Sequence, residues 1–90
     1  MTIIVMDNVS TSTRGECTKY LLEVKTGVFV GNITSVVREL VWQKIQRNCA
    51  NGGAILIYSM ANEQGYELEM FGDPRKKVID LDGIKLIQTA

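Results

Sequence analysis

Histidine is absent from this sequence of 90 residues, and its ten basic side chains are balanced by ten acidic ones. Without histidine, the chain cannot form a catalytic triad that depends on an imidazole base. A zinc site would have to use cysteine and carboxylate ligands, and their spacings in this chain do not fit one. The balanced charge gives no general attraction to nucleic acid or to membranes, so any basic surface must come from local clustering.

Cysteine is also scarce, and long apolar runs are missing. We predict that Cys17 and Cys49 are buried thiols of a reducing compartment, with a disulfide as the alternative. No run approaches the roughly 20 apolar residues of a transmembrane helix. The N-terminus also lacks the basic start of a signal peptide. These features predict a soluble, cytoplasmic protein that does not contact membranes.

Hydrophobic residues are plentiful in the sequence and make up 46% of the chain. That share is enough for one small globular domain over residues 1–90. A domain of this size buries a modest part of its surface, so self-association would add to its stability. Within it we predict a core over about residues 1–78 and C-terminal strands over about residues 79–90.

The first half of the chain begins with the apolar run Ile3-Ile4-Val5-Met6, which ends at Asp7. This run predicts a central strand that is buried on both faces. A helix is predicted to start within residues 10–13 and to end at Gly27. Its apolar positions recur with helical spacing at Cys17, Tyr20, Leu21 and Val24.

The second half predicts one more helix and several strands. After a short strand over residues 28–30, Thr34 and Ser35 are suitable caps for the second helix. Residues 54–61 are apolar on both faces and are therefore predicted as a central strand. A turn at residues 62–65 leads to a half-exposed strand that pairs back as a hairpin. Asp82-Gly83 could fold the remaining residues into a further hairpin.

This order of elements predicts an α+β fold. We expect a ferredoxin-like sandwich, with two helices on one face of a mostly antiparallel sheet and a C-terminal strand extension. One point fits this layout poorly, because only residues 26–33 separate the predicted helices. The middle hairpin of the fold would therefore have to be very short or reduced to one strand.

Asp7 is the carboxylate best placed for chemistry, because the end of a central strand often faces a functional crevice. Two Asp7 side chains brought together across a dimer axis could share one Mg²⁺ ion and activate water for phosphodiester cleavage. The simpler interpretation is that Asp7 accepts backbone N–H bonds at the start of the first helix. The sequence alone favours this simpler interpretation.

Arg75-Lys76-Lys77 is the only basic run in the chain, and it predicts contacts with nucleic-acid phosphates. Arg14 and Arg38, near the starts of the two helices, would extend that surface. The alternative is a solvated loop that keeps a sheet edge soluble. The last strand candidate, residues 84–89, has an exposed edge that invites strand addition by another chain, unless it completes its own sheet.

Several segments, taken in order, carry a resemblance to one family. They are Leu21-Leu22-Glu23-Val24, Gly27-Val28-Phe29-Val30-Gly31, Val37-Arg38-Glu39-Leu40-Val41-Trp42, and the stretch from Gly72 onward to Ile79-Asp80-Leu81-Asp82-Gly83. With these segments the chain resembles the small subunit of the CRISPR spacer-acquisition complex. This subunit belongs to the CRISPR-associated endoribonuclease and adaptation protein family, and the resemblance is to its subtype I-E branch.

The resemblance implies a homodimer that bridges two dimers of a larger integrase subunit and holds double-stranded protospacer DNA. The side chains that would contact the duplex backbone are Arg14, Arg38, Arg75 and Lys76, with Lys77 beside them. Those that would dock the integrase subunit are Leu81, Ile84, Leu86 and Ile87. Asp7 lies where family members place the acidic residue credited with Mg²⁺-dependent endonuclease activity. A nuclease is therefore the alternative to a non-catalytic scaffold.

Overall fold

A computed structural model describes residues 1–48, 52–72, 76–81 and 84–89 of the chain. In chain order its elements are β1 (Thr2–Asp7), α1 (Thr11–Cys17), β2 (Leu22–Lys25), β3 (Val28–Gly31), α2 (Ser35–Asn48), β4 (Gly53–Ser59), β5 (Tyr66–Phe71), β6 (Lys76–Leu81) and β7 (Ile84–Thr89). None of the helices in this part of the chain is long and apolar enough to span a membrane.

Five of the strands form one antiparallel sheet in the order β2-β3-β1-β4-β5. Strands β6 and β7 pair with each other as a separate antiparallel hairpin, and β6 contacts β5. Strand β1 is central, as predicted, because β3 and β4 pair with it on either side. The order of β1 to β4 around two helices is ferredoxin-like. The predicted α+β fold class is therefore confirmed.

One face of the sheet forms the core, because alternate residues of a strand point to the same side. Ile4 lies opposite Phe29 in β3 and Leu56 in β4, and all three side chains are fully buried. The helices cover this row with Cys17, Val41, Trp42 and Ile45. Each large apolar side chain buried in this way contributes about 1.5–3 kcal/mol, so this layer dominates the stability of the domain.

The opposite face of the sheet is apolar as well, but both helices pack on the core side. Two rows of β-branched residues cross β3, β1 and β4 on this second face, and all of them are partly exposed. We call this surface the open face and define it by Ile3, Val5, Val28, Val30, Ile55 and Ile57. On β5 the same side carries one buried side chain, Leu68, which lies opposite Ile57 and is 6% exposed. The prediction that the central strands are buried on both faces is therefore wrong.

Helix α1 is shorter than predicted, because it ends at Cys17. Its cap is Ser10, whose hydroxyl accepts the backbone N–H of Thr13, so this role does not fall to Asp7. The residues predicted to continue the helix form a turn and then strand β2, where Leu22 is 70% exposed. The helical prediction was wrong because pairing with β3 outweighs a helical spacing carried by only four apolar residues.

Gly27 turns the β2–β3 hairpin instead of ending a helix. Its φ is 80°, and its carbonyl oxygen accepts the N–H of Met6 at 2.8 Å. A Cβ atom at this position would lie 2.5 Å from the Met6 carbonyl oxygen, so no side chain fits. The hairpin between the helices is formed by two strands of four residues, which is the very short version that the spacing allowed.

The remaining predicted elements are confirmed where the structure describes them. The Thr34 hydroxyl accepts the N–H of Val37 at 3.2 Å and caps α2. Gly65, with a φ of 84°, completes the turn between β4 and β5. Cys17 is buried as predicted, with 1% exposure. Cys49 and the Asp82-Gly83 turn lie outside the described residues.

Candidate nucleic-acid interface

Asp7 lies at the C-terminal end of β1, where it is exposed and pairs with Gly53 of β4. Alternation along the strand places it on the same side as Ile3 and Val5, at the border of the open face. The next residue, Asn8, has a positive φ of 55° and turns the chain toward α1. Asp7 is therefore accessible at one end of the sheet.

The described residues of one chain do not assemble a cluster of metal ligands. No group of three or more Cys, Asp or Glu side chains within the described ranges converges in a way that could hold a metal ion. Mg²⁺ is usually bound through one or two carboxylates, with water and phosphate oxygens completing its octahedron, and Asp7 supplies one carboxylate. Asp7 therefore has no cluster of metal ligands around it within the described part of one chain, and a second copy could bring a second carboxylate.

Arg14 is held by an ion pair with Glu23 of β2. Its Nε and Nη2 atoms both donate to the Oε2 atom of Glu23, at 3.1 and 2.9 Å. The same oxygen accepts the backbone N–H of Gly27 at 3.0 Å. The Gly27 N–H, and after it the Arg14 guanidinium, hold the pKa of Glu23 below its usual value. This network fastens α1 to the β2–β3 hairpin.

Arg38 lies on α2 above the ring of Tyr58, and its guanidinium carbon is 3.7 Å from the ring centroid. This distance is within the range of a cation–π contact. The side chain is 16% exposed, and its Nε atom lies 3.9 Å from the nearest carboxylate oxygen of Glu39. That Nε is buried and makes no hydrogen bond within the described part of the chain. Stacking therefore orients Arg38, and its only ion pair among the described residues is the long contact with Glu39.

Acidic side chains of β5 border the Arg38 stack. Glu67 lies opposite Tyr58 in the β4–β5 ladder, and Glu69 lies opposite Leu56. Burial, and after it the Glu69 carboxylate, raises the pKa of Tyr58. The phenol therefore stays neutral at physiological pH, and it presents the uncharged ring on which Arg38 stacks.

The predicted site residues do not gather at one point. Arg14 is anchored to β2 and Arg38 to β4, with β3 and β1 between them, a separation of three strand spacings or ~14 Å. Asp7 lies at the opposite end of β1 from the Arg38 stack, because Tyr58 pairs with Thr2. A ligand that contacts all of these side chains must be extended.

The basic run and the predicted docking strand fall in the C-terminal hairpin. Lys76 and Lys77 begin β6, while Arg75 lies outside the described residues. β5 ends at Phe71, opposite Ala54, which itself pairs with Met6. The segment that leads into the basic run therefore starts from the same end of the sheet as Asp7.

The predicted docking residues pair across the hairpin. Leu81 lies opposite Ile84, and Leu86 lies opposite Ile79, in the β6–β7 ladder. Ile87 of β7 is 40% exposed. The Ile87 side chain is therefore accessible at the surface of the hairpin.

The two helices also enclose a cleft of about 190 Å³. Cys17 lies in its wall, and an ion pair of 3.5 Å joins Lys44 to Glu16 beside it. Burial, and after it the Glu16 carboxylate, raises the pKa of Cys17 to about 11, so the thiol is unreactive at neutral pH. None of the predicted site residues lines the cleft.

Two partners of the predicted arginines could not be found from the sequence. Glu23 is nine residues from Arg14, and Tyr58 is twenty residues from Arg38, so no short-range spacing connects either pair. Glu23 was also assigned to a helix that does not exist there. The signal for the open face was present, because residues 54–58 are apolar at odd and even positions alike.

The sheet order, the two helices on one face and the terminal hairpin define an α+β protein of the ferredoxin-like class. A family model described as CRISPR-associated protein (Cas_Cas2CT1978) matches residues 1–86. The match spans nearly the whole chain, and the protein therefore belongs to this family of CRISPR-associated proteins. Family membership supports a role in CRISPR adaptation alongside other CRISPR-associated proteins.

Proposed function

We propose that the protein is a homodimeric scaffold of a subtype I-E CRISPR adaptation complex. In this role it bridges dimers of the larger integrase subunit and holds protospacer duplex DNA while a spacer is acquired. The observation that carries this proposal is the open face. Six β-branched side chains form two rows on it, and the helices leave them partly exposed.

The occupant of the open face is proposed to be a second copy of the chain. Contiguous exposed apolar surface marks interaction sites in soluble proteins. A two-fold dimer places the same patch against itself, which suits a surface made of one kind of side chain. The chain carries no net charge, so two copies do not repel each other at long range. Dimerisation would complete the burial that the helices provide on the other face.

Duplex DNA is the extended ligand that suits the dispersed basic residues. Arg14, Arg38, Lys76 and Lys77 are spread over α1, α2 and β6, and a dimer presents each of them twice. Such spacing supports contacts with phosphates along a backbone better than recognition of a compact ligand. We expect binding that depends strongly on salt and weakly on sequence. The C-terminal hairpin, with Leu81, Ile84, Leu86 and Ile87, is proposed to dock the integrase subunit.

A second candidate function is a Mg²⁺-dependent endonuclease that uses the Asp7 residues of two copies. The observation that favours it is the position of Asp7 at the border of the open face. Pairing of two open faces would bring both carboxylates toward the same interface. A bound Mg²⁺ ion would supply charge stabilisation and an activated water.

An Asp7→Asn variant separates the two candidates, because the amide keeps the shape of the side chain and removes its charge. As a scaffold, the variant is expected to support spacer integration at the unaltered rate when the integrase subunit is present. As a nuclease, it is expected to lose Mg²⁺-dependent cleavage of nucleic acid. A Glu63→Gln variant, in the exposed β4–β5 turn, is the matched control for loss of one surface charge. Loss of integration with dimerisation and DNA binding intact would overturn the scaffold proposal.

A further inference from the structure

We propose that Glu23 restrains DNA binding by competing with phosphate for Arg14, so that the Arg14–Glu23 ion pair is an internal brake on the interface. This inference rests on the proposed DNA-binding function and adds a form of regulation to it. The ion pair joins α1 to β2, and it already occupies Arg14, one of the predicted DNA-binding side chains.

The occupied part of Arg14 is the part that a phosphate would use. A guanidinium binds two oxygens of an anion through parallel N–H bonds, and the Nε–Nη2 edge offers one such pair. Both atoms of this edge donate to Glu23, at 3.1 and 2.9 Å. A phosphate that binds Arg14 in this way must therefore displace the carboxylate, or it must use the remaining Nη edge while the negative charge of Glu23 stays close.

Breaking the ion pair with Arg14 would cost little free energy at the Glu23 carboxylate. The accepting oxygen also receives the Gly27 N–H at 3.0 Å, so it keeps a hydrogen bond after Arg14 leaves. The side chains of Arg14 and Glu23 are 32% and 22% exposed, and water can reach both partners. A partly exposed ion pair of this kind has a small net stability and exchanges readily. The contact is therefore strong enough to compete with phosphate and weak enough to open.

Arg38 provides the contrast within the same molecule. It is oriented by stacking on Tyr58, and its nearest carboxylate, from Glu39, lies 3.9 Å from Nε and is 50% exposed. No comparable carboxylate occupies a two-atom edge of Arg38 among the described residues. We therefore expect Arg38 to contact DNA without an exchange of partners, whereas Arg14 must first leave Glu23.

The test is a double-mutant cycle with Glu23→Gln and Arg14→Ala, read by fluorescence anisotropy on a labelled duplex. Glutamine removes the charge but keeps an oxygen for the Gly27 N–H, so the hairpin is retained. We expect Glu23→Gln to tighten DNA binding about two- to fivefold, the range of an exposed ion pair. The slope of log affinity against log salt is expected to steepen by ~0.9, corresponding to one more phosphate contact. Both gains are expected to vanish in the Arg14→Ala background.

Glu16→Gln is the matched control for the change in charge. Glu16 also lies in α1, but its carboxylate contacts Lys19 and Lys44 instead of Arg14. Its effect on DNA affinity is expected to be the same with and without Arg14. If Glu23→Gln behaves in the same way as this control in both backgrounds, the proposed brake is overturned. A loss of affinity in Glu23→Gln would mean that Glu23 positions Arg14 for binding, and it would overturn the proposal as well.

A measurement on the unaltered protein avoids any effect of substitution on folding. The Nε–H resonance of Arg14 reports its hydrogen bond to Glu23, and we expect it to shift when duplex DNA is added. An unchanged resonance at saturation with DNA would contradict the exchange of partners. If no form of the protein binds duplex DNA at low salt, the proposed function itself fails. If the protein binds DNA normally but the affinity does not depend on Glu23, only the proposed competition for Arg14 fails.

Discussion

The two faces of the central sheet are built from the same kind of side chain and differ in what covers them. Leu56 and Ile57 are neighbours in β4, yet Leu56 is fully buried under the helices and Ile57 is partly exposed on the open face. Apolar character on both sides of a strand therefore does not mean burial on both sides within one chain. The covered face completes the monomer, and the open face is the surface we propose for dimerisation.

The largest effect is expected from truncation on the covered face. Leu56→Ala should lower the free energy of unfolding by about 2–5 kcal/mol, because it removes a fully buried side chain and leaves a cavity. Ile57→Ala, one residue away, should cost about 1 kcal/mol in the monomer, since its side chain is already partly solvated. Urea denaturation at low protein concentration measures both. Equal losses would mean that the two faces are equally important to the monomer.

A charge on the open face should break the dimer and leave the fold intact. Val5→Asp lies at the centre of this face and is expected to weaken self-association by about 100-fold, because an unpaired carboxylate would be buried at the interface. Val36→Asp is the control, since Val36 is 77% exposed on α2. Analytical ultracentrifugation gives the dissociation constant of each variant. If both variants associate like the unaltered protein, the open face is not the dimer interface.

The buried thiol of Cys17, on the covered face, makes the free energy of unfolding depend on pH. Its pKa in the folded protein is about 11, above the value of 9.0 that is usual for this group. The unfolded chain therefore loses the proton first as the pH rises. The contribution to stability is complete below pH 9 and is lost toward pH 11, and it amounts to roughly 3 kcal/mol.

The matching variant is Cys17→Ala, which removes the titrating group from the covered side. All other groups are the same in both proteins, so their contribution cancels in the difference. We expect the unaltered protein to lose more stability than the variant between pH 9 and pH 11, measured by urea denaturation at each pH. Parallel curves would show that the Cys17 thiol is as easily ionised in the folded protein as in the unfolded chain.

The fold was predictable because several local signals agree with each other. Ile3 to Met6 form a short apolar run rich in β-branched residues, which favours a strand. The cap at Thr34 marks the start of α2. The stretch after Cys17 was not predictable, because its apolar spacing is compatible with a helix and with a strand. Pairing with β3 decides between the two, and β3 is itself held by β1, which lies more than twenty positions earlier in the chain.

The candidate site was predictable as a set of charges but not as a set of contacts. Arg14 and Arg38 are visible in the sequence, whereas their neighbours Glu23 and Tyr58 come from other strands. One arginine is therefore occupied and the other stacked, and nothing in the local sequence distinguishes them. The exposure of Ile57 was hidden for a related reason, because the sequence does not reveal which side of the sheet the helices cover.

The terminal hairpin has a consequence for how the chain tolerates changes in length. The hydrogen-bond ladder of β6 described by the structure is with β7, and neither strand enters the register of the five-stranded sheet. A residue inserted or deleted between the two sheets would leave every pairing of β1 to β5 in place. The hairpin can therefore change in length or position while the pairing of the five-stranded sheet stays the same.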